Sequence, residues 1–319
     1  MHKSLYVKGT DDKILSEIAA FNINSIFIPY STDFSEKFTK LKSNLKPEIA
    51  VNVELNVFEG KDILVKFADA SPVEATGKET RTGSYTGLCP SHPGVRQEIL
   101  DRAKRILETE IDGIWLGNIR YPTFWQTPEP EILDTCYCDR CMEMFGKYIG
   151  EEIIGDTLED KVLLIDGSYY IEWLEFKCGQ ISSMVSEIKD LILNSGKNIK
   201  LGIFAVPWED KEYGSGIKRI VAQDFAALIN YVDVISPKLF YKEIGKPVDW
   251  VKSKIDYYWE LGVPILPVVS TFEQTSDELK DALAYSVWRN STGVLVYYTE
   301  ELLEKNLTEV VKNFFDSNS

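Results

Sequence analysis

The sequence predicts a (β/α)8 TIM barrel with an insertion after the fourth strand. Short apolar runs rich in Val and Ile recur along the chain, and nearly all are followed by segments with apolar residues at helical spacing. A length of 319 residues suits a single large barrel with insertions. No Gly-rich phosphate-binding sequence follows the first strand, which argues against a doubly wound nucleotide-binding sheet.

Eight strands are predicted from these apolar runs, at 5–7, 25–30, 49–57, 113–118, 200–207, 232–240, 264–270 and 293–299. Helical spacing is found at 14–19, 34–45, 94–110, 141–150, 158–193, 224–230, 247–261, 276–290 and 302–315. We expect one barrel domain over 1–319, with a long loop at about 60–93 and a helical insertion at about 139–195. Loops of that length in a compact domain are usually functional or disordered, and Tyr85, Cys89 and His92 favour a functional loop.

Composition excludes several classes of partner. The 50 acidic residues outnumber the 35 basic ones, which gives a net charge of −15 and makes nucleic acid and anionic membranes poor partners. No apolar run is long enough to span a membrane, and the N-terminal sequence has no apolar core of a signal peptide. An odd number of cysteines, five, fits a reducing compartment, so we expect a cytoplasmic protein. Its richness in Ile, Lys and Glu is typical of thermophilic proteins.

The central stretch of the sequence runs from Asp112 to Cys141. A buried-strand pattern there leads directly into a loop that carries Asn118, Arg120 and several aromatic residues. TIM barrels build their sites from such loops, at the carboxyl ends of the strands. Asp112 stands at the start of the strand, so we expect it to lie at the bottom of the barrel with a structural role.

The predicted strand ends carry carboxylates beside flat aromatic side chains. They carry neither a histidine nor a Gly-x-Ser-x-Gly nucleophile turn, so carboxylate chemistry is the remaining candidate. This combination suits sugars, whose ring faces stack on Trp or Tyr while two carboxyl groups act as acid and as base or nucleophile. Glu209 is the predicted general acid, because the neighbouring Trp208 can raise its pKa by desolvation. Glu273 and Glu54 are the candidates for the second carboxylate, although Glu54 can equally be a polar residue of the barrel interior.

Substrate-binding residues are predicted at the same strand ends. Asn118 and Arg120 can hold sugar hydroxyls or a carboxylate, or Arg120 can pair with an acid and fix the loop. The other candidates are aromatic or cationic: Tyr121, Trp125, Trp208, Lys238, Tyr241 and Tyr298. We expect no cofactor for catalysis.

Three cysteines occur within six residues, at Cys136, Cys138 and Cys141. Three thiols this close can hold a soft metal, with Cys89 or His92 as the fourth ligand, which predicts a structural zinc site. A disulfide and free thiols are the alternatives. Cys178 lies on a helical face and is most simply a buried apolar residue.

The segments LCPSHPGVRQEIL, IDGIWLGNIRYP and CYCDRCMEMFGKYIG resemble a family of TIM-barrel glycoside hydrolase-like proteins. The shared pattern is a Cys-Pro-x-x-Pro helix start, an Asp-Gly-Ile-x-Leu-Asp-x-x-Arg-Tyr/Phe-Pro strand and a Cys-x-Cys-x-x-Cys element. LGIFAVPW and AQDFAALINYVDVISPKLFY also match, so the resemblance covers roughly residues 85–250. It implies a barrel that acts on an oligo- or polysaccharide.

Two positions depart from the family pattern. Gly117 stands where the family has the acid of its fourth strand, so this chain uses another residue or is a non-catalytic carbohydrate-binding barrel. Lys238 stands where the family tends to have Met, and a cation there can pair with Glu209 or bind an acidic sugar. A further alternative is a metal-dependent hydrolase that uses the cysteine cluster.

Overall fold

The computed structural model describes residues 1–80 and 86–318. Its eight strands are β1 His2–Tyr6, β2 Ser25–Pro29, β3 Ala50–Asn56, β4 Gly113–Gly117, β5 Lys200–Ala205, β6 Val234–Pro237, β7 Val268–Ser270 and β8 Gly293–Tyr297. Each lies within or overlaps a predicted strand. Their apolar runs are continuous, as expected of parallel strands that are buried on both faces.

All pairings between neighbouring strands are parallel, in the order β6-β5-β4-β3-β2-β1-β8-β7. Isolated parallel bridges from Ile235 to Ile265 and from Lys238 to Val268 join β6 to the β7 side and complete the circle. The chain is therefore a (β/α)8 TIM barrel, as the sequence predicts.

Thirteen helices are present in the described part of the chain. They are α1 Asp12–Ile18, α2 Phe34–Asn44, α3 Lys61–Lys66, α4 Pro93–Leu107, α5 Asp139–Ile149, α6 Leu158–Ser168, α7 Tyr170–Asn194, α8 Gly216–Arg219, α9 Phe225–Leu228, α10 Trp250–Trp259, α11 Ser276–Ser286, α12 Thr299–Glu304 and α13 Thr308–Ser317. The single closing helix predicted at 302–315 is instead α12 and α13, because Asn306 between them has a left-handed backbone (φ 56°).

The inward face of β4 alternates Gly113, Trp115 and Gly117. The indole of Trp115 fills the lower barrel, where it donates to Ser236 Oγ at 2.9 Å. A Cβ atom at Gly202 on β5 would lie 2.3 Å from that indole, so this neighbouring position must be glycine. Trp115 thus fills the barrel interior between β4, β5 and β6 below the carboxyl ends of the strands.

Asp112 lies at the opposite, amino-terminal end of the strands. Its Oδ2 accepts a hydrogen bond from the backbone N–H of Val51 at 2.7 Å, and Lys42 Nζ lies 3.7 Å away. These contacts join β4 to β3 and support the structural role expected for Asp112.

The long segment between β3 and α4 contains the short helix α3, which buries Ile63. Further along, Val73 and Glu74 pair with the loop that follows β4: Tyr137 N–H donates to Val73 O at 2.8 Å, and Glu74 bridges to Thr135. Tyr85 lies outside the described residues. Across 1–80 and 86–318, no helix is both long and apolar enough to cross a membrane.

Candidate active site

A polar cavity of about 470 Å³ opens at the carboxyl ends of β1, β3, β4, β6 and β8. This is the end at which TIM barrels carry their sites. Its walls are charged, amide and aromatic side chains: Tyr6, Lys8, Pro29, Glu54, Asn56, Glu59, Asn118, Arg120, Thr123, Phe124, Gln126, Lys238, Tyr297 and Tyr298. Five residues predicted from the sequence to form the site meet here, namely Glu54, Asn118, Arg120, Lys238 and Tyr298.

Glu54 is the buried carboxylate at the floor of the cavity, and only 4% of it is exposed. The phenol of Tyr6 donates a hydrogen bond to Glu54 Oε2 from across the barrel. Lys238 Nζ lies 3.7 Å from Glu54 Oε1. A buried carboxylate is tolerable when it is paired in this way with a cation and a hydrogen-bond donor, so Glu54 has a defined position in the cavity.

Gly117 makes room for that carboxylate. A Cβ atom at Gly117 would lie 2.4 Å from Glu54 Oε1 and 2.6 Å from Asn56 Oδ1, closer than real atoms approach. Glu54 and Asn56 of β3 therefore occupy the space in which a side chain on β4 would project. β4 has no acid at this position, and the carboxylate of Glu54 on the adjacent strand β3 occupies the space instead.

Glu59 is the second carboxylate of the cavity and follows β3 by three residues. The amide nitrogen of Asn118 donates to Glu59 Oε2 and, at 3.0 Å, to Asn56 Oδ1. Arg120 donates to Asn118 Oδ1 at 3.2 Å, so it orients the same amide. Asn118 has a left-handed backbone (φ 47°), which turns its side chain back towards β3.

The environment of Glu59 favours its neutral form. Burial raises the pKa of the Glu59 carboxyl above its usual value, and the nearby carboxylate of Glu54 adds to this. The cations Arg120 and Lys238 lower the pKa of Glu59, but burial is the larger effect. A carboxyl group that holds its proton at higher pH is suited to general acid catalysis.

Tyrosines form one wall of the cavity. The rings of Tyr6 and Tyr297 meet edge to face with centroids 4.5 Å apart, and Tyr298 donates a hydrogen bond to the Tyr297 hydroxyl. Lys8 Nζ lies 3.2 Å above the centroid of the Tyr298 ring. Aromatic rings with hydroxyls at their edges offer both an apolar face and polar contacts to a sugar ring.

Glu209, the acid predicted from the sequence, does not line the cavity. Its carboxylate accepts a hydrogen bond at 2.9 Å from Lys254 of α10, which also donates to Glu212 at 2.6 Å. Trp208 is buried beside Gly216 and Tyr213, away from the cavity lining. Lys254 is only 2% exposed and requires both acids as partners, so Glu209 belongs to an ion-pair cluster under α10.

The remaining predicted residues also lie elsewhere. Glu273 is exposed on the loop after β7. Trp125 stacks on Phe240 with a 5.9 Å separation between the ring centroids, and both are buried. Tyr121 and Tyr241 are buried as well, so their rings fill the layer behind the cavity wall.

Sequence reasoning missed Glu59, Tyr6 and Lys8. Tyr6 ends β1, Lys8 follows it by two residues, and Glu59 follows β3 by three. The signal that could have found them is this closeness to a strand end, which is the same signal that selected Glu273.

Four cysteine thiols form a separate cluster, and they are Cys89, Cys136, Cys138 and Cys141, the set predicted for zinc. Their sulfur atoms all lie within 4.8 Å of one another, and all four residues are free cysteines. His92 is not part of the cluster: its Nδ1 accepts from the Val95 N–H and its Nε2 faces Asp69. Of the two residues considered as the fourth ligand, Cys89 and His92, the structure places Cys89 in the cluster.

The cluster joins two loops that build the cavity. Cys89 belongs to the segment after β3, which carries Glu59. Cys136 and Cys138 belong to the loop after β4, which carries Asn118 and Arg120, and Cys141 lies in the first turn of α5, which follows that loop. The backbone N–H of Val73 also donates to Cys136 Sγ at 3.3 Å. These contacts hold the two loops against each other.

The barrel and its polar cavity have the layout on which TIM-barrel enzymes are built. No protein-family model and no curated protein matches the sequence. Solved structures do match, among them the glycoside hydrolase domain of PgaB (BpsB) from Bordetella bronchiseptica, with a TM-score of 0.73 and 9% identity over 99% of both chains. The glycoside hydrolase domain of PelA from Pseudomonas aeruginosa has a TM-score of 0.51 and 11% identity, over 92% of this chain and 94% of that one.

A β-galactosidase from Bacillus circulans sp. alkalophilus is similar with a TM-score of 0.65 and 12% identity. The match covers 93% of this chain and 50% of the β-galactosidase, so this chain spans about half the length of that enzyme. At these identities the likeness shows the fold alone, a TIM barrel.

Proposed function

We propose that the protein is a glycoside hydrolase that acts on an oligo- or polysaccharide by carboxylate acid/base chemistry. The observation that carries the proposal is the pair Glu54 and Glu59, two glutamates that line one cavity in different environments. Glycoside hydrolysis uses two such carboxyl groups, one protonated and one ionised. Solved glycoside hydrolase domains with the same fold support this reading.

In this mechanism Glu59 is the general acid. It protonates the leaving glycosidic oxygen, and burial, which raises the pKa of its carboxyl group, favours the protonated form that this role requires. Asn118 and Arg120 act through Glu59 as positioning residues, because they hold its carboxylate through the amide of Asn118. Glu59 replaces Glu209 in this role, since Lys254 holds Glu209 outside the cavity.

Glu54 is the second carboxylate. Lys238 and the Tyr6 hydroxyl fix its position, and from there the carboxylate can attack the anomeric carbon or activate a water molecule. The tyrosine wall, including Tyr298, borders the space for the sugar, and the amides of Asn56 and Asn118 face its hydroxyls.

The test is a hydrolysis screen over aryl glycosides and polysaccharides with wild type, Glu54→Gln, Glu59→Gln and Glu209→Gln. Removal of either cavity glutamate should lower kcat/KM by about 10²–10⁴-fold, the size expected for loss of acid–base catalysis. Glu209→Gln is the matched control, because it removes a strand-end glutamate outside the cavity, and it should retain activity. Full activity in both cavity variants would overturn the assignment.

A carbohydrate-binding barrel without catalysis is the alternative that the same screen decides. Gly117 was the reason to consider it, but Glu54 occupies the space beside Gly117, so the cavity still holds two carboxylates. Saccharide binding by wild type without cleavage of any substrate would favour this alternative.

We further propose a structural zinc ion held by the four clustered thiols. Four thiolates satisfy the tetrahedral coordination of zinc and leave no open position for a substrate or a water molecule, as in structural rather than catalytic sites. The cysteines also do not line the cavity. This arrangement argues against the metal-dependent hydrolase considered from the sequence. Thiols kept reduced for a metal fit the cytoplasmic location expected from the sequence.

A further inference from the structure

The charge of the cavity is opposite to that of the whole protein. The chain carries a net charge of −15, yet the cavity walls hold three cations, Lys8, Arg120 and Lys238, and two carboxylates, Glu54 and Glu59. The positive side chains come from three separate elements, after β1, after β4 and after β6. A local excess of positive charge in an acidic protein attracts anions to this place.

Two of the three cations have partners within the protein. Lys238 pairs with Glu54 at 3.7 Å. Arg120 donates to the carbonyl oxygens of Tyr121 and Thr123 at 3.1 and 3.0 Å and also to Asn118. These contacts occupy hydrogen-bond donors of Lys238 and Arg120, but the positive charges of both side chains remain in the cavity.

Lys8 is different, because no carboxylate among the described residues lies within ion-pair distance of its ammonium group. Its contact is with the face of Tyr298, and its side chain is exposed at the mouth of the cavity. The nearest acid on the neighbouring α12, Glu300, accepts hydrogen bonds from the backbone N–H groups of Lys8 and Gly9 at 2.8 and 3.0 Å. That carboxylate is therefore held by the backbone and leaves the ammonium group available to a ligand.

The proposed mechanism increases the excess of positive charge in the cavity. A general acid works from its protonated form, so in the working state Glu59 is neutral and the cavity lining then holds three cations and one carboxylate, that of Glu54. A neutral sugar would leave this positive charge without a counter-ion when it displaced water from the cavity. A substrate with an anionic group would supply one.

We propose that the cavity is built for an acidic saccharide, whose anionic group binds Lys8 at the mouth. This rests on the glycoside hydrolase function proposed above and specifies its substrate class. The shared chemistry is an anionic substituent on a sugar, either the carboxylate of a uronic acid or a sulfate ester. Lys8 is a specificity residue in this proposal, not a catalytic one.

The experiment compares acidic polysaccharides with their neutral counterparts. Polygalacturonate, alginate and hyaluronan are each paired with the carboxyl-reduced form of the same polymer. Chondroitin sulfate is compared with its carboxyl-reduced form, its desulfated form and the neutral form that is both carboxyl-reduced and desulfated. Binding is measured by affinity electrophoresis and cleavage by the release of reducing ends. Wild type is compared with Lys8→Met, which keeps the aliphatic stem, and with Lys280→Met, which removes an exposed lysine of α11 outside the cavity.

We expect wild type to prefer at least one acidic polymer over its neutral form by about tenfold, which corresponds to about 1.4 kcal/mol. Lys8→Met should lose most of that preference and Lys280→Met should keep it. The preference should also weaken as salt is raised, because the ammonium group is exposed. Preference for the sulfated polymer that persists after carboxyl reduction would identify sulfate as the anion.

The other outcomes separate the two proposals. Cleavage of neutral polymers with no acidic preference would overturn the acidic substrate and leave the glycoside hydrolase function standing. An acidic preference that survives in Lys8→Met would overturn the role of Lys8. Absence of both binding and cleavage across this panel and the aryl glycosides would overturn the proposed function and, with it, this inference.

Discussion

Gly117 on β4 and Glu54 on β3 share one volume in the barrel interior: the carboxylate of one occupies the space that a side chain of the other would need. Glu54 can therefore adopt this position only because residue 117 is a glycine. A pair of this kind explains how a barrel can carry its interior acid on β3 and none at the end of β4.

Gly117→Ala should destabilise the protein by about 1–3 kcal/mol, the usual cost of overpacking a filled interior. The added Cβ atom would force Glu54 or Asn56 to move, so cleavage activity should fall as well. The measurement is thermal or denaturant unfolding together with kcat/KM. Gly179→Ala is the control, because Gly179 lies within α7 with no heavy atom within 4 Å of its added Cβ, and the change should be neutral or stabilising.

Gly117→Asp should be worse than Gly117→Ala, because it places a second carboxylate against Glu54. It should not restore or increase activity. The double variant Glu54→Ala/Gly117→Asp removes the clash with Glu54, although not that with Asn56, and should recover part of the stability relative to Gly117→Asp alone. A stable and more active Gly117→Asp protein would show that the acid belongs on β4 and that Glu54 is only a polar interior residue.

The pH dependence should report Glu59. As general acid it must be protonated, so kcat/KM should fall as pH rises through its pKa, which burial places above the usual glutamate value. Lys238 lowers that pKa, so Lys238→Met should move this alkaline limb to higher pH, whatever its effect on the maximal rate. Lys280→Met, far along the chain on α11, should leave the limb in place. A limb unmoved by Lys238→Met would contradict the assignment.

Glu59→Gln should change how stability depends on pH. Because the pKa of Glu59 is raised in the folded state, its contribution to stability is complete below the unfolded pKa and is lost as pH rises through the folded pKa. Glutamine has no such loss and still accepts the hydrogen bond from Asn118. The melting temperature of Glu59→Gln relative to wild type should therefore rise between about pH 4 and pH 8. A difference that is constant over this range would show that the Glu59 carboxyl is not desolvated.

Removal of the metal should destabilise the protein without blocking the cavity chemistry directly. One zinc per chain is expected by elemental analysis, and loss of a metal at about 1,000 times its Kd removes about 4 kcal/mol, or about 10 °C in Tm. Cys138→Ser should show the same loss and should bind less zinc. Cys178→Ser is the control, because Cys178 is a buried cysteine outside the cluster. Full zinc content in Cys138→Ser would place the metal elsewhere, and a metal-free wild type would leave the thiols free.

The fold was predictable because the strands of a TIM barrel are short, apolar and separated by helices with their own spacing. The prediction located all eight strands, and its error at the C-terminus came from one residue, Asn306, whose left-handed backbone divides the last helical run. The cysteine cluster was predictable too, since three of its thiols lie within six residues of the sequence. The fourth, Cys89, had a competitor in His92 that only the structure could resolve.

The site was predictable in part. Glu54, Asn118, Arg120, Lys238 and Tyr298 were expected at strand ends and all line the cavity. Glu209 also follows a strand, but Lys254 lies 45 residues further along the chain and holds its carboxylate from outside. Sequence position shows that a residue follows a strand, but not towards which side its loop turns, and for this reason Glu59 was missed.

The loops at the rim of the barrel fall into two groups, those joined by the four-cysteine cluster and those outside it. The cluster binds together the loops after β3 and β4, and these hold Glu59 and the amide that positions it. Lys8 and Tyr298, after β1 and β8, lie outside this cluster, and their segments are joined instead by the hydrogen bonds that Glu300 accepts from the backbone of Lys8 and Gly9. Mutations in the loops after β1 and β8 can therefore change which substrate binds while the loops after β3 and β4 keep their geometry. Directed evolution of this barrel should begin at Lys8 and leave the loops joined by the cysteine cluster unchanged.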